Sequence, residues 1–211
     1  MALTYPGTPA GIAICSTFAH YLFSMEEEIK KCLEVLARGG TILYPTDTIW
    51  GIGCDATNSK AVNKVYRLKQ RTEQKSLIIL LDDISRLDAY VEVVPTIARD
   101  LLKHIDSPLT IIYPRAKNLA PNVMAEDHSI AIRIVKDTFC KTLIHDFGKP
   151  IVSTSANISG QNHPVTFKNI SPILKKGVDH CVDESLDQIK EVKPSQIIKI
   201  DINGEFKIIR L

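Results

Sequence analysis

Apolar residues recur along the chain at two spacings, and the alternation between them predicts a mixture of helices and strands. Helical spacing is clearest in "MEEEIKKCLEVLARGG" (residues 25–40), where acidic residues fill the first turn and two glycines end the pattern. The other segments with helical spacing are residues 59–69, 82–91, 96–105, 137–148 and, with a break, 167–176. The short apolar runs typical of buried strands are residues 41–44, 76–81, 109–113, 129–135 and 150–154.

The C-terminal residues carry a hairpin signal. "SQIIKID" (residues 195–201) and "EFKIIRL" (residues 205–211) are joined through "NG", a dipeptide that favours a tight turn between two strands. Helices and strands interleave along the chain without an internal repeat or a long linker. We therefore predict an α/β or α+β fold with a large mixed sheet, formed as one domain by residues 25–211.

The first 24 residues allow two interpretations. They contain no Lys or Arg, whereas a secretory signal has a positive start before its apolar run. One interpretation is a leader of little structural weight ahead of a natural start at Met25. The other is local order, because Ser24 and Glu27 have the spacing of a capping box for the following helix.

Composition narrows the classes of protein. The 211 residues are 45% hydrophobic, which is enough for a substantial core. A net charge of +2 means that any nucleic-acid binding must come from a local patch. Five scattered cysteines without a CxxC pair argue against a disulfide framework or zinc site and favour a cytoplasmic location. No apolar run reaches the roughly 18 residues of a membrane span, so no membrane partner is expected.

Two polar clusters directly follow predicted strands. "YPTDTIWGIG" places Thr46, Asp47 and Thr48 ahead of two glycines, a pattern that is more often a turn than a site. The first five residues of "STSANISG" (residues 153–160) place three hydroxyls and an amide at the carboxyl end of a strand, where open α/β sheets bind ligands. A helix N-cap is the competing interpretation of this second cluster. Neither a Walker motif nor GxGxxG is present.

A basic stretch, "RLKQRTEQKS" (residues 67–76), lies between a predicted helix and a predicted strand. Its cations are Arg67, Lys69, Arg71 and Lys75. Cations at a helix C-terminus are favoured by the helix dipole and need no further purpose. The functional interpretation is a pocket for an anion.

Taken in order, "ILYPTDTIWGIGCDA", "KQR" and "STSANISG" resemble the YrdC family of threonylcarbamoyl-AMP synthases, and the likeness extends from Met25 to Leu211. The resemblance implies a large twisted mixed sheet, flanked by helices, with a concave basic cavity. It also implies a nucleotidyl transfer that joins L-threonine, bicarbonate or CO₂, and ATP, with Mg²⁺ as cofactor. The products would be threonylcarbamoyl-AMP and pyrophosphate, and a separate transferase complex would pass the threonylcarbamoyl group to a tRNA adenosine.

The resemblance assigns roles to individual residues. The catalytic set is Lys69, Arg71, Ser155 and Asn157. The ATP-binding set is Lys69, Arg71, Lys75, Thr110, Ser155 and Arg210. The threonine-binding set is Thr46, Arg133, Ser153 and Ser195. No metal ligand and no general base are assigned. Departures from the family pattern that touch loop stiffness and pocket walls occur at Thr72, Ser76, Val135 and Gln196.

Two alternatives share this fold. One is a non-catalytic module that binds tRNA or double-stranded RNA through the basic cavity, and the other is a YciO-like paralogue. A surface for an RNA backbone needs only cations, and its affinity falls steeply with salt. It does not need Ser155 and Asn157 after a strand, and the aromatic residues here do not interleave with the cations as a stacking platform requires. YciO-like proteins lack the Lys-x-Arg and Ser-x-Asn that this chain keeps, so the sequence favours the synthase.

Overall fold

The computed structural model describes residues 9–70, 77–164, 166–187 and 194–211, with side chains from residue 19 onward. The α-helices are α1 (Pro9–Ala37), α2 (Ser59–Leu68), α3 (Leu87–Tyr90), α4 (Thr96–His104), α5 (Thr138–Phe147) and α6 (Pro172–Gly177). Single 3₁₀ turns lie at Ile84–Arg86, Pro121–Val123, Phe167–Asn169 and Glu184–Leu186. None of the described helices is both long enough and apolar enough to cross a membrane.

Nine strands within the described residues form one sheet. They are β1 (Thr41–Tyr44), β2 (Gly51–Cys54), β3 (Ile78–Leu81), β4 (Leu109–Tyr113), β5 (Ile130–Ile134), β6 (Ile151–Ser155), β7 (His180–Cys181), β8 (Gln196–Ile200) and β9 (Phe206–Arg210). Their order is β7-β1-β2-β6-β3-β5-β4-β8-β9. The β1–β7, β3–β5 and β4–β8 pairs are parallel, and the other neighbours are antiparallel. The predicted large mixed sheet is therefore confirmed.

The core lies between the sheet and the helices that cover it. Helix α1 packs against α5 and against β1, and α2 packs against β2. Helical spacing places Ile29, Cys32 and Leu36 of α1 on the buried face. The central strand β3 is apolar on both faces, and Ile79 and Leu80 are fully buried. Burying a side chain of this size contributes about 1.5–3 kcal/mol, so the central strands anchor the fold.

Helix α1 begins earlier than the sequence pattern predicts. It starts at Pro9 rather than near Met25, and Ser24 lies inside it. The capping-box alternative for Ser24 is therefore wrong, because an N-cap residue stands outside the helix with non-helical backbone angles. Tyr21, ahead of Met25, packs against the core. The assignment of residues 1–24 as a leader stays a prediction.

Strand β2 occupies part of the segment that the sequence analysis treated as a turn. Its glycine content hides it from strand propensity, yet every residue from Gly51 to Cys54 is buried between β1 and β6. Gly53 is required by close packing, since a Cβ atom there would lie 2.6 Å from Tyr44 Cε1 and 2.7 Å from the Val152 carbonyl oxygen. The two glycines thus allow β1 and β6 to approach β2.

The predicted C-terminal hairpin is confirmed. Strands β8 and β9 pair antiparallel, and the Asp201 N–H donates to the Glu205 carbonyl at 2.8 Å. Gly204 in the turn has φ of +87°, a left-handed conformation that glycine adopts without strain.

Candidate active site

A cavity of about 270 Å³ opens on one face of the sheet. Strands β2 to β6 and β8 to β9 contribute to its wall, together with the loop that precedes β2 and the loop that follows β6. The sequence-predicted site residues that line it are Arg133, Ser153, Ser155, Ser195 and Arg210. The structure therefore brings together residues from four separate strands and loops.

Strand register explains why these residues meet. Arg133 of β5 lies opposite Thr110 of β4, and Thr110 lies opposite Ile197 of β8. Ile197 in turn lies opposite Arg210 of β9. Directly opposed residues share a face of a sheet, so the two arginines end a single row across the wall of the cavity.

A bulge in β9 places Arg210 on this row. Ile198 pairs with Ile208, whereas Ile197 pairs with Arg210, so Ile209 is an extra residue in β9. Without the extra residue Ile197 would oppose Ile209, and Arg210 would point to the other face, because side chains alternate along a strand. The bulge therefore turns the last cation of the chain towards the cavity.

Arg133 forms a buried ion pair with Asp47. Its Nη2 lies 3.0 Å from Asp47 Oδ1, and the two side chains are 5% and 6% exposed. Within the described residues, the two carboxylate oxygens of Asp47 have no well-aligned hydrogen-bond partner, and Arg133 Nε has none either. The pair is therefore an electrostatic contact with unused hydrogen-bonding capacity. Arg133 also borders the cavity, although its Nε atom is itself buried.

Ser195 connects two other predicted residues. Its hydroxyl lies 2.7 Å from the Thr110 hydroxyl, and Thr110 is fully buried. Arg210 donates to the Ser195 carbonyl oxygen from Nε at 3.0 Å and from Nη2 at 2.7 Å. Burial lowers the pKa of Arg210, and the nearby Arg133 charge lowers it further. Arg210 stays protonated at neutral pH because the ordinary pKa of arginine is above 12.

Lys69 joins the end of α2 to the loop after β6. Its Nζ donates to the Ser155 carbonyl at 2.5 Å, to the Asn157 carbonyl at 2.8 Å and to Asn157 Oδ1 at 3.3 Å. Ser155 Oγ donates to Asn157 Oδ1 at 2.5 Å, and Asn157 Nδ2 donates to the Gln161 carbonyl at 2.6 Å. Lys69 is 3% exposed, so in this conformation it organises the loop beneath the cavity. Its role toward phosphate stays a prediction.

Thr46 is not among the residues that line the cavity. Thr46 forms the turn before β2, where its hydroxyl donates to the Ile49 carbonyl at 2.7 Å and accepts from the Thr48 N–H at 3.1 Å. Thr48, rather than Thr46, borders the cavity. Arg71 and Lys75 lie outside the described residues, and their roles stay predictions.

Trp50 and His163 also line the cavity, and the sequence did not identify them as site residues. Trp50 borders the cavity, donates from Nε1 to Asp187 Oδ1 at 2.8 Å, and packs its ring 4.8 Å from that of Phe167. A lone Trp beside two glycines was an available signal. His163 also borders the cavity, from the loop after β6. His163 is not spaced from another residue as metal ligands are, and it lies in no catalytic motif, so the sequence does not distinguish it from the other histidines.

The cavity combines cations, hydroxyls and apolar surface. Arg133 and Arg210 provide guanidinium groups, which bind carboxylates and phosphates through paired N–H donors. Ser153 and Ser155 add hydroxyls, and Ile112 with other aliphatic residues provides apolar wall. Such a lining suits a small ligand with more than one anionic group and an apolar part.

Relatives of known name align along most of the chain. A threonylcarbamoyl-AMP synthase of Pseudoalteromonas translucida (strain TAC 125) is 35% identical over 185 residues, which cover 86% of this chain and 97% of the relative. A second, of Hahella chejuensis (strain KCTC 2396), is 36% identical over 170 residues, with 80% and 91% covered.

Solved structures share the fold. P. abyssi Sua5 in complex with L-threonine superposes with a TM-score of 0.76 at 23% identity, covering 82% of this chain and 50% of that protein. This chain thus spans about half the length of that Sua5 protein. E. coli YciO gives a TM-score of 0.75 at 23% identity, with 86% and 87% covered. Residues 34–211 match the Sua5_yciO_yrdC family model, which carries the description "Telomere recombination". This chain belongs to the Sua5/YciO/YrdC family.

Proposed function

We propose that this chain is a threonylcarbamoyl-AMP synthase that uses L-threonine, bicarbonate or CO₂, and ATP. The observation that carries the proposal is the buried guanidinium of Arg133 on the wall of a small cavity, on the same row as Arg210. Relatives with the synthase name align over nearly their whole length, and the Sua5 neighbour was solved with L-threonine.

Arg133 is the proposed site for the threonine carboxylate. Asp47 contacts one end of its guanidinium at 3.0 Å, while Nε has no aligned partner among the described residues. A threonine carboxylate would accept N–H bonds from the part of the guanidinium that borders the cavity, where the planar fork offers paired donors that Lys lacks. The side chains of Ile78, Ile112 and Ala131 border the same part of the sheet and offer apolar contact for the threonine methyl group.

Arg210 and the serine hydroxyls are the proposed partners of the nucleotide phosphates. In the reaction, a carbamate oxygen of threonine attacks the α-phosphorus, the bond to pyrophosphate breaks, and its electron pair leaves with pyrophosphate. Negative charge therefore grows on the phosphoryl oxygens and the leaving group, where preorganised donors stabilise the transition state. Ser155 and Ser195 can donate to these oxygens, and Lys69 would join them if ligand binding releases Nζ from its carbonyl partners. This step makes the activity a nucleotidyl transfer.

Mg²⁺ enters the proposal with ATP. Proteins hold Mg²⁺ through carboxylates together with substrate phosphates. The described lining of the cavity contains no carboxylate, and the described residues contain no cluster of three or more His, Cys, Asp or Glu that could hold a metal. This donor set does not fit a resident Mg²⁺ site, so the ion is assigned to the phosphates of ATP and no step is derived through it.

The buried position of the arginine argues against an RNA-binding module as the main function. A phosphate of an RNA backbone needs exposed cations, whereas the Arg133 side chain is 5% exposed and faces a cavity of small-molecule size. Contact with tRNA, transfer through a partner complex and a cytoplasmic location are part of the proposed role and follow from the product.

Pyrophosphate release tests the proposal. Release is expected only when ATP, threonine and bicarbonate are present together, and equal release without threonine would leave a generic ATPase. Arg133→Lys should weaken apparent threonine affinity and leave ATP affinity nearly unchanged. Arg99→Lys is the matched control, because Arg99 also faces a carboxylate, Asp88, at 2.7 Å but lies away from the cavity.

A further inference from the structure

His163 stands at the rim of the cavity without a role in the proposal above. Its side chain is exposed, and it borders the same space as Ser155, Ser195 and Arg210. The loop that carries it is tied down nearby, since the Gln161 carbonyl accepts from Asn157 Nδ2 at 2.6 Å and the Ser159 N–H donates to the Lys69 carbonyl at 3.0 Å. The backbone of this loop is therefore anchored beside the proposed phosphate site, and His163 borders that site.

The groups that face His163 are cationic. Arg210 of β9 and Arg133 border the same cavity, and the buried Lys69 acts on His163 through its charge. Partial loss of hydration at the cavity rim lowers the pKa of the exposed His163 side chain, and the charges of Arg210 and Lys69 lower it further. No carboxylate borders the cavity within the described residues. The free site therefore favours the neutral imidazole at pH 7, because its ordinary pKa is near 6.5.

We propose that His163 is a phosphate ligand that gains a proton when the triphosphate of ATP enters the cavity. This inference rests on the proposed function, because it takes the cavity as the nucleotide site. A polyanion placed beside the ring favours the imidazolium form and offsets the repulsion from the two neighbouring cations. The protonated ring then donates an N–H to a phosphate oxygen. Once the α-phosphorus is attacked, the same charge stabilises the departing pyrophosphate.

The sign of the pH dependence follows from this exchange. His163 is expected to titrate below its ordinary pKa in the free site and above it when the phosphates are bound. Affinity for the phosphates should therefore strengthen as pH falls through the bound-state pKa and level off below the free-state pKa. Bound phosphates titrate near the same range, so the difference between wild type and variant, rather than either profile alone, isolates the histidine.

Calorimetry with inorganic pyrophosphate, ATP and adenosine tests the proposal without turnover. Titrations at pH 7 in buffers of different ionisation enthalpy measure the protons taken up on binding. The wild-type chain should take up more protons with pyrophosphate and with ATP than His163→Gln does. His163→Gln should also bind pyrophosphate about 10–100-fold more weakly at pH 6, as expected for one charge-assisted hydrogen bond. Adenosine binding should be unchanged.

Two further variants separate the phosphate contact from other roles. His163→Lys keeps a cation that does not titrate near pH 7, so it should retain pyrophosphate affinity but lose the extra proton uptake. His104→Gln changes a histidine on α4, whose ring nitrogen contacts the Asp100 carbonyl at 2.8 Å, and should behave as wild type. Equal proton uptake in wild type and His163→Gln, or weak pyrophosphate binding by His163→Lys, would overturn the proposal. A loss of adenosine binding alone in His163→Gln would also overturn it, because the imidazole would then contact the adenine base rather than the phosphates.

Failure of this inference and failure of the proposed function have different signatures. If pyrophosphate release depends on threonine but binding carries no proton linked to His163, the synthase assignment stands and the histidine role is wrong. If proton uptake depends on His163 but release ignores threonine, the phosphate contact stands and the synthase assignment is wrong.

Discussion

Replacing Asp47 with Asn should destabilise the fold strongly, because it leaves the Arg133 guanidinium buried without its counter-charge. The two groups lie 3.0 Å apart with side chains 6% and 5% exposed. Removing one partner of a buried pair costs about 3–5 kcal/mol in the free energy of unfolding. For a chain of this length, each kcal/mol lowers the melting temperature by about 2–4 °C, so a fall of about 6–20 °C is expected.

A double-mutant cycle isolates the coupling between the two side chains. Urea unfolding of Asp47→Asn, Arg133→Met and the double variant gives the three free-energy changes, provided the dependence on urea concentration is unchanged. Each single variant leaves one buried charge uncompensated, whereas the double variant leaves none. The free energy of unfolding should therefore fall less in the double variant than the sum of the two single-variant losses. The difference should be about 3 kcal/mol, the upper end of measured coupling energies.

An exposed ion pair of similar length provides the control. Lys30 and Glu27 lie 2.9 Å apart with side chains 66% and 43% exposed. Glu27→Gln should change stability by about 0–1 kcal/mol, because water screens an exposed pair and solvates the charge left behind. If Asp47→Asn cost no more than this control, and the Asp47 and Arg133 changes were additive, the argument from burial would be refuted.

The same variant tests whether Asp47 positions Arg133 for its ligand. Calorimetry on Asp47→Asn below its melting temperature should show weaker threonine binding and nearly unchanged ATP binding. Wild-type threonine affinity in a protein of clearly lower stability would show that Asp47 supports the fold and does not orient the guanidinium.

Three other substitutions have expected outcomes. Gly53→Ala places a Cβ atom 2.6 Å from Tyr44 Cε1, so overpacking should cost about 1–3 kcal/mol in urea unfolding, and wild-type stability would mean that β1 and β6 yield at no cost. Lys69→Met leaves buried carbonyl oxygens without their donor, so stability should fall by about 1–3 kcal/mol even without ATP, and a loss confined to ATP binding would contradict the structural role. The pKa of Asp127 is lowered to about 2 by hydrogen bonds from the Ser129 hydroxyl and N–H and by the Lys199 ammonium. The Asp127 carboxylate therefore contributes to folding stability above its unfolded pKa near 4, and this contribution is lost as pH falls through about 2. Wild type and Asp127→Asn should therefore differ in melting temperature at pH 7 and converge towards pH 2, and a constant difference would contradict that assignment.

The elements with strong periodicity could be predicted from the sequence, and those without it could not. Helix α2 was predictable because its apolar positions follow one face. The structure adds that the Asn58 side chain caps the start of the helix by accepting hydrogen bonds from two backbone N–H groups. Strand β2 was missed because Gly51 and Gly53 have low strand propensity. Its place in the sheet depends on tight packing against Tyr44 and on pairing with β6, which local sequence does not reveal. The two-residue strand β7 is too short to leave a pattern.

The candidate site was predictable in its residue types but not in its contacts. Arg133, Ser153 and Ser155 were identified by resemblance, and they do border one cavity. The role of Lys69 toward phosphate stays a prediction. In this structure its Nζ is bonded to main-chain carbonyls, because a buried ammonium must satisfy its donors inside the protein, and the sequence does not reveal those contacts. The pairing of Arg133 with Asp47 could not be predicted from the sequence, because the two residues are far apart in the chain and meet only in the tertiary fold.

The bulge in β9 shows how a small irregularity can determine the charge of the cavity. Regular pairing of β8 with β9 would place Ile209 opposite Ile197 and leave Arg210 on the other face. The extra residue reverses this, and the Arg210 guanidinium then bonds the Ser195 carbonyl, whose hydroxyl also contacts Thr110. Arg210 and Ser195 are thereby joined to β4 through hydrogen bonds as well as sheet pairing. The last strand thus contributes directly to the proposed phosphate site, and a change that removed the bulge should cost phosphate affinity more than it costs folding.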